Sequence, residues 1–431
     1  MQTLAIPPGP AEAVDLGGSD DALERLRTYF ARYGDIYRVF APNRGTYDYV
    51  INHPDDIKHV LLTNHRNYTK GVGMDRVKIL LGNGIMTSEG DFWRRQRRMM
   101  QPSFHRRVLD RFAALVAEVN ERFARRWAQQ AQRGEPVDVS DDTSELTLEI
   151  VLRSIFGTDL ERLERELGAN PFEVVAKDQN RDLKFAFRFR SLAKLVAELI
   201  ARRRRSGEAH EDFLAMLMAA RDRDDETVMS DKELVDEVLT LIVAGHETTA
   251  AALTWTWYLV SQHPEITAAL EAEAAATPQG VLSLAQAEAL AYTHQVIQEA
   301  LRLYPPGWLF TRRTVEADEL GGYPIAARTD VFISPYMLHR HPAFWNDPER
   351  FDPGRFAGID AKERHRFAYI PFSVGPRHCI GENMAMFEML VHVTRMTRRF
   401  RLTRLSREPI EFEAQINLRP RSNLLMTVEE R

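Results

Sequence analysis

Cys379 is the only cysteine in a chain of 431 residues. It lies in the run Phe372-Ser373-Val374-Gly375-Pro376-Arg377-His378-Cys379-Ile380-Gly381. Two glycines and a proline make this a tight, irregular turn, and a helix is expected from about Gly381-Glu382-Asn383. A thiol beside a helix N-terminus faces unpaired N–H groups and the positive end of the helix dipole, and both favour the thiolate. Arg377, two residues away, adds a positive charge. A thiolate so placed can ligate a metal or act as a nucleophile, with thirteen histidines available as bases. An inert buried cysteine is the commonest fate of a lone thiol. One thiol excludes an intrachain disulfide and any Cys-rich zinc or iron–sulfur site.

Three further groups of residues carry chemistry in their spacing. Ala244-Gly245-His246-Glu247-Thr248-Thr249 puts Ala244 and Thr248 on one helical face, extended by Ala251 and Ala252. Such small residues suit close helix packing. A Thr hydroxyl can also bond the carbonyl four residues back, bending the helix and opening a groove beside Ala244 for dioxygen and water. Glu299-Ala300-Leu301-Arg302 sets acid and base at i and i+3, by itself a common surface pair. Trp93-Arg94-Arg95-Gln96-Arg97 aligns an indole N–H donor with a guanidinium fork at i and i+4.

These residues need rigid elements behind them. Ser230-Asp231-Lys232-Glu233 is a capping box, and small and apolar residues follow to Val260 before His263-Pro264. That predicts a helix of about 30 residues, roughly 45 Å long at 1.5 Å per residue. A second helix is expected from about Thr293 to Tyr304, stopped by Pro305-Pro306. Helical periodicity covers Phe92 to about Lys232, broken at Gly134-Glu135-Pro136 and Gly157. Alternation in Ile36–Phe40 and Tyr47–Ile51, with turns at Pro42-Asn43 and His53-Pro54, predicts a small N-terminal β region over about 32–65. Short strands are expected around Gly321-Gly322-Tyr323-Pro324 and Val331–Ile333. The basic run Arg202 to Arg205 reads as a solvated helix end.

Composition bounds the rest. Length allows two or three units or one large helical domain, and a hydrophobic fraction of 44% is ample for a core. Net charge is −5, which argues against a nucleic-acid-coating protein. Only eight of the 57 basic residues are Lys. Met1 to Gly18 has no signal-peptide pattern, and no run of about 18 apolar residues exists, so a cytoplasmic protein without a membrane anchor is expected.

The pattern Phe-x-x-Gly-x-Arg-x-Cys-x-Gly resembles the haem-binding signature of the cytochrome P-450 family, the haem-thiolate monooxygenases. It departs at Ser373, where the family often has Gly. The other groups fall in the family's order. Ala-Gly-His-Glu-Thr resembles its oxygen-activation motif, and Glu299 and Arg302 its Glu-x-x-Arg helix, joined by an Arg from a Pro-x-Arg-Phe stretch. Pro348-Glu349-Arg350-Phe351 supplies Arg350 there.

The resemblance spans about Arg32 to Val428. It implies a mainly α triangular prism with a small β region and a long central helix, counted as one domain over 1–431. Cys379 would be the axial ligand of the iron of haem b, iron protoporphyrin IX, with Phe372 and Gly381 of the same loop also among the cofactor-binding residues. Trp93, Arg97, Arg313 (five residues before Asp318) and Arg377 would meet the propionates, with Arg312 competing for the place of Arg313. Ala244, Gly245, Glu247 and Thr248 would serve oxygen activation, and His246 would pack away from the iron.

The implied reaction inserts one oxygen atom of O₂ into an organic substrate, with electrons from NAD(P)H. The 52 residues after Cys379 are too few for a fused reductase domain, so ferredoxin and its reductase, or flavodoxin, would deliver them. Arg94, Arg95 and Arg98 would point outward and form a basic docking patch with Arg395, Arg398 and Arg399. A peroxide-using or isomerising enzyme and a non-catalytic haem sensor are alternatives, against which Glu247 and Thr248 speak. By position in the family, Met86, Val243, Leu309, Phe310 and Ile416 would line the substrate pocket. All are apolar, so the substrate would be lipophilic: a fatty acid, terpenoid or steroid.

Overall fold

The Ser230 capping box closes as its sequence requires. Ser230 Oγ accepts from the Glu233 N–H at 3.3 Å, and the Glu233 carboxylate accepts from the Ser230 N–H at 2.6 Å. The helix then runs Asp231–Val260, 30 residues, and Pro264 opens the next one. In this computed structural model residues 6–177 and 183–431 are described, so Met1 to Ala5 of the N-terminal stretch lie outside them. The chain packs as two compact units, each discontinuous in sequence.

One unit comprises Arg76–His294, Ile380–Pro409 and Asn423–Arg431 and is mainly helical, with a three-stranded sheet of Val137–Asp138, Leu425–Glu430 and Phe400–Arg404. The long helix lies along Val139–Phe156. Their contact is made by small and polar residues: Gly245, where a Cβ would stand 3.1 Å from Val151, and the Thr143–Thr254 hydroxyl pair at 2.9 Å. The helix after the cysteine loop, Glu382–Arg399, buries His392 against Trp127 and Trp257. Trp257 Nε1–H donates to His392 Nε2 at 3.1 Å, and His392 Nδ1 bonds Asn120 Oδ1 at 2.8 Å. Burial pushes the His392 pKa down to about 3, so the ring is neutral and each nitrogen has one fixed role.

Arg203 departs from the expectation of a solvated basic run. It is buried, bonding Asp159 at 2.6 Å, both oxygens of Asp212 at 2.7 Å and the Phe156 carbonyl at 2.9 Å. Arg204, beside it, faces solvent on Asp231. Helical rotation of about 100° per residue turns one member of a basic run inward, and acids distant in sequence await it.

The other unit comprises Met1–Asp75, Gln295–Cys379 and Ile410–Ser422. The expected N-terminal β region contains a hairpin, Ile36–Ala41 against Thr46–Ile51. The sheet is larger than a 32–65 region, because Asp330–Ile333, Phe310–Thr314 and Tyr68–Lys70 continue it. Tyr49 pairs in parallel with Val331 across some 280 residues of chain, and no local periodicity announces such a partner.

Candidate active site

The cysteine loop belongs to the second of these units. It is folded by its own backbone: Cys379 N–H donates to the Phe372 carbonyl at 2.9 Å, His378 N–H to Gly375 at 3.0 Å and Ser373 N–H to Ile370 at 3.0 Å. Gly375 has φ +75° and lies against the Leu61 carbonyl, so a Cβ there would overlap it. Ser373 holds φ +59°, a left-handed conformation that favours glycine. The departure from the family pattern therefore falls at a strained position. Ser373→Gly is expected to stabilise the protein by about 0.5–1 kcal/mol, read as a raised midpoint in urea; a lowered midpoint would show the strain to be absent.

Cys379 is exposed, not sunk in apolar packing, which removes the inert-cysteine reading. The chain turns into the helix Glu382–Arg399 three residues on, with Gly381 at the N-cap. The residues therefore fit a haem thiolate: one exposed cysteine two residues before the N-cap of an 18-residue helix.

Behind this loop in the same unit stands the Glu-x-x-Arg pair. Arg302 Nε and Nη2 donate to the Glu299 oxygens at 2.6 and 2.8 Å, and both side chains have no exposed surface. Arg302 spends its remaining donors on the carbonyls of His339 (2.9 Å), Pro348 (2.7 Å) and Arg350 (3.0 Å), and its guanidinium lies 4.9 Å from the Trp345 ring. Arg350 therefore enters through its backbone only, and its side chain is exposed. The third side chain is Arg355, whose Nε stands 3.3 Å from Glu299. The sequence holds two Pro-x-Arg-Phe stretches five residues apart, and the assignment to Arg350 took the first where the structure uses the second, Pro353-Gly354-Arg355-Phe356. Sequence reasoning also missed His339. It is fully buried and held neutral by that burial, bonding the Arg302 carbonyl through Nδ1 (3.3 Å) and accepting the Ile370 N–H at Nε2 (2.9 Å). It thereby ties this network to the irregular segment leading into the cysteine loop.

Arg313 is committed to Asp330 through two bonds, 3.1 and 2.7 Å, in a cluster with Arg44 and Asp48. Arg312, its neighbour in Phe310–Thr314, leaves the opposite face of the strand, its guanidinium 5.2 Å from the Phe310 ring. Leu309 and Phe310 likewise pack against different apolar clusters, and Ile416 is 57% exposed. These three do not share one lining.

In the helical unit, Thr248 Oγ1–H donates to the Ala244 carbonyl at 2.7 Å, the bond expected of it. Ala244 is exposed and Thr248 half-buried in a helix otherwise mostly covered, while Ala251 and Ala252 are buried, so the open strip ends at Thr248. His246 is buried with Nε2 on Ser144 Oγ at 2.9 Å. Val243, Glu247 and Met86 are half-buried. On the helix Gly90–Met100, Trp93 is buried and Arg97 half-buried, one turn apart on the same face.

The expected basic patch is compensated internally. Arg94 pairs with Asp91, Arg95 with Glu233 (3.1 Å), Arg98 with Asp222 and Asp224 (both 2.7 Å), and Arg399 with Glu430 (2.8 Å). Arg398 is turned onto the carbonyls of Ala274 and Thr277, and Arg395 onto that of Gly280. Every one of these cations has its counter-charge or carbonyl on the same unit, so they do not make a free positive surface.

The family model Cytochrome P-450 matches residues 11–427. The chain belongs to the cytochrome P-450 family. Its fold agrees: the crystal structure of the cytochrome P-450DA haem domain superposes with a TM-score of 0.86, covering 99% of this chain and 98% of that one at 24% identity. Cyclooctatin synthase of Streptomyces melanosporofaciens is 36% identical over 90% of this P-450 and 87% of its own length. Pentalenene oxygenase of Streptomyces avermitilis is 32% identical over 86% of this P-450 and 85% of its own length. The P-450 is thus an oxygen-incorporating oxidoreductase of a family that uses haem. Among the described residues no helix is long and apolar enough to cross a membrane.

Proposed function

We propose that this P-450 hydroxylates or epoxidises a cyclic terpenoid, with electrons from NAD(P)H passed by a separate ferredoxin and its reductase in the cytoplasm. The observation that carries the reaction class is the accessible thiol of Cys379 at a helix N-terminus in a family that uses haem. Bound haem supplies the chemistry, its thiolate ligand pushing electron density that favours O–O cleavage. Cys379 holds the iron, and Trp93, Arg97 and Arg377 hold the propionates. Arg312 serves as the further propionate partner, because Asp330 already holds Arg313. The whole chain, 1–431, acts as one haem domain.

Thr248 and Glu247 move protons. The Thr248 hydroxyl hydrogen is spent on the Ala244 carbonyl, so its oxygen is left as an acceptor that orients a water, and Glu247 one residue before it restores the proton from solvent. Thr248→Ala is expected to keep NAD(P)H consumption but release most of the electrons as hydrogen peroxide. Full coupling of NAD(P)H to hydroxylated product in that variant would overturn the relay.

The substrate class rests on two features. Met86 and Val243 are apolar and half-buried, and two relatives are named cyclooctatin synthase and pentalenene oxygenase. A panel of terpenoids, fatty acids and steroids, scored by the spin-state shift of the Soret band, tests it. Tightest binding by a fatty acid or steroid would replace the terpenoid reading.

A further inference from the structure

Two adjacent carboxylates at the start of the long helix do work that the oxygen chemistry does not use. Asp236 Oδ2 accepts the Asn83 N–H at 2.9 Å, and Glu237 Oε2 accepts the Ile85 N–H at 2.8 Å. The segment so held, 82–88, is shaped for the purpose. Gly82 has φ +73° and lies on the Asp236 carboxylate, Gly84 lies on Thr240 Oγ1 and the Asp236 carbonyl, and a Cβ at either would collide. Thr87 closes the turn by donating to the Gly82 carbonyl at 2.7 Å. Glu237, Ala244 and Thr248 stand at i, i+7 and i+11, so the loop's Glu237 anchor lies on the face that carries the oxygen-activating residues, about 10.5 Å from Ala244 at 1.5 Å per residue.

Glu237 is the unusual member. It has no exposed surface, and burial pushes its pKa up to about 8. Its other oxygen meets the Gln96 amide at 3.1 Å. That amide is fixed in turn, its oxygen accepting from Arg95 Nη1 at 3.2 Å, so it donates to Glu237 through Nε2. The charged groups around it are accounted for. On its own helix Glu233 is held by Arg95 (3.1 Å) and Asp236 by Lys232 (2.7 Å). Arg95 and Gln96 face it from Gly90–Met100, and Arg204 of Leu183–Ser206 is held by Asp231 at 2.7 Å. Segment 82–88 carries no titratable side chain. Among the described residues no cation pairs directly with Glu237, and Arg95 reaches it only through Gln96.

We propose that Asp236 and Glu237 are positioning residues that seat segment 82–88, and with it Met86, on the long helix, and that this seat sets which substrates the enzyme accepts. The proposal rests on the reading that Met86 lines the substrate site. A carboxyl whose folded pKa is raised stabilises the seat fully below its ordinary value of 4.5 and loses that contribution as pH rises through about 8. Segment 82–88 therefore loosens in mild alkali.

Hydrogen exchange of the holoenzyme reads the seat directly. The Asn83 and Ile85 amides should be protected at pH 7. After correction for intrinsic rates they should exchange about tenfold faster at pH 9, as expected for one buried hydrogen bond of ordinary strength. E237Q, which cannot ionise, should keep its protection at both pH values, and E237A should lose it at both. In ligand titrations followed by the Soret band, affinity should fall between pH 7 and 9 for the wild type and stay level for E237Q, while E237A and D236N should reorder the panel. The same pH dependence in E237Q, or unaltered exchange in E237A, overturns the seat. Altered exchange with an unaltered ligand ranking overturns its role in selectivity. Loss of the thiolate signature of the carbonyl complex in the wild type would instead strike the haem reading.

Discussion

Arg302→Met should destabilise the protein by about 3–5 kcal/mol, the cost of leaving the other member of a buried pair without its counter-charge. Glu299 would keep the Asp352 N–H at 2.9 Å and Arg355 at 3.3 Å, too little to hold a carboxylate with no exposed surface. The variant also strips donors from the carbonyls of His339, Pro348 and Arg350, so the stretch between the Glu-x-x-Arg helix and the cysteine loop loses its anchor. Arg302→Lys should fall most of the way with it, because an ammonium cannot fork onto two carboxylate oxygens while reaching three carbonyls. Arg355→Ala should cost less, about 1–2 kcal/mol, since its contact is longer and does not reach hydrogen-bond geometry. Arg350→Ala should stay within about 0.5 kcal/mol, because only its carbonyl is used and alanine keeps it. Urea unfolding of the four variants gives the order. Equal losses for Arg350→Ala and Arg355→Ala would return Arg350 to the network, and a loss under about 1 kcal/mol for Arg302→Met would show the pair to be dispensable.

That ordering marks where the sequence was legible. Chemistry carried by short spacings was readable: the capping box at Ser230, the Thr248–Ala244 bond, and the cysteine before a helix all depend on residues within four positions of each other. Partners chosen by the tertiary fold were not. Arg350 and Arg355 stand in equivalent motifs, and only folding decides which faces Glu299. Arg312 and Arg313 are adjacent, so strand alternation sends them to opposite faces, and the presence of Asp330 across the sheet decides which is already paired. The basic surface failed for the same reason: Asp222, Asp224, Glu233 and Glu430 are scattered in sequence, and no charge count shows that they return to Arg95, Arg98 and Arg399. The spacing around Glu237 carries no signal, although burial and two hydrogen bonds give it a distinct role.

Cys379→Ser should abolish monooxygenase turnover without unfolding the protein. The two effects separate because the loop is built by backbone bonds that serine retains: the residue's own N–H still reaches the Phe372 carbonyl, and Gly375 still fits against the Leu61 carbonyl. The side chain is exposed, so the substitution opens no cavity, and stability should change by less than about 0.5 kcal/mol. Function depends on the sulfur alone. A serine hydroxyl stays protonated near neutral pH, and the electron push that favours O–O cleavage needs a thiolate. The reduced carbonyl complex should therefore lose the red-shifted Soret band that thiolate ligation gives. Turnover should drop by more than about a hundredfold, beyond the 10–100-fold seen when merely an outer partner of a metal ligand is removed. Gly375→Ala offers the opposite pattern, a thiol retained in a loop that cannot close, with folding and haem uptake failing together. Persistence of the red-shifted band in Cys379→Ser would refute the ligand assignment. Loss of stability alongside the band would mean that the sulfur also holds the loop, in which case the backbone bonds at Phe372 and Gly375 are not sufficient to fold it.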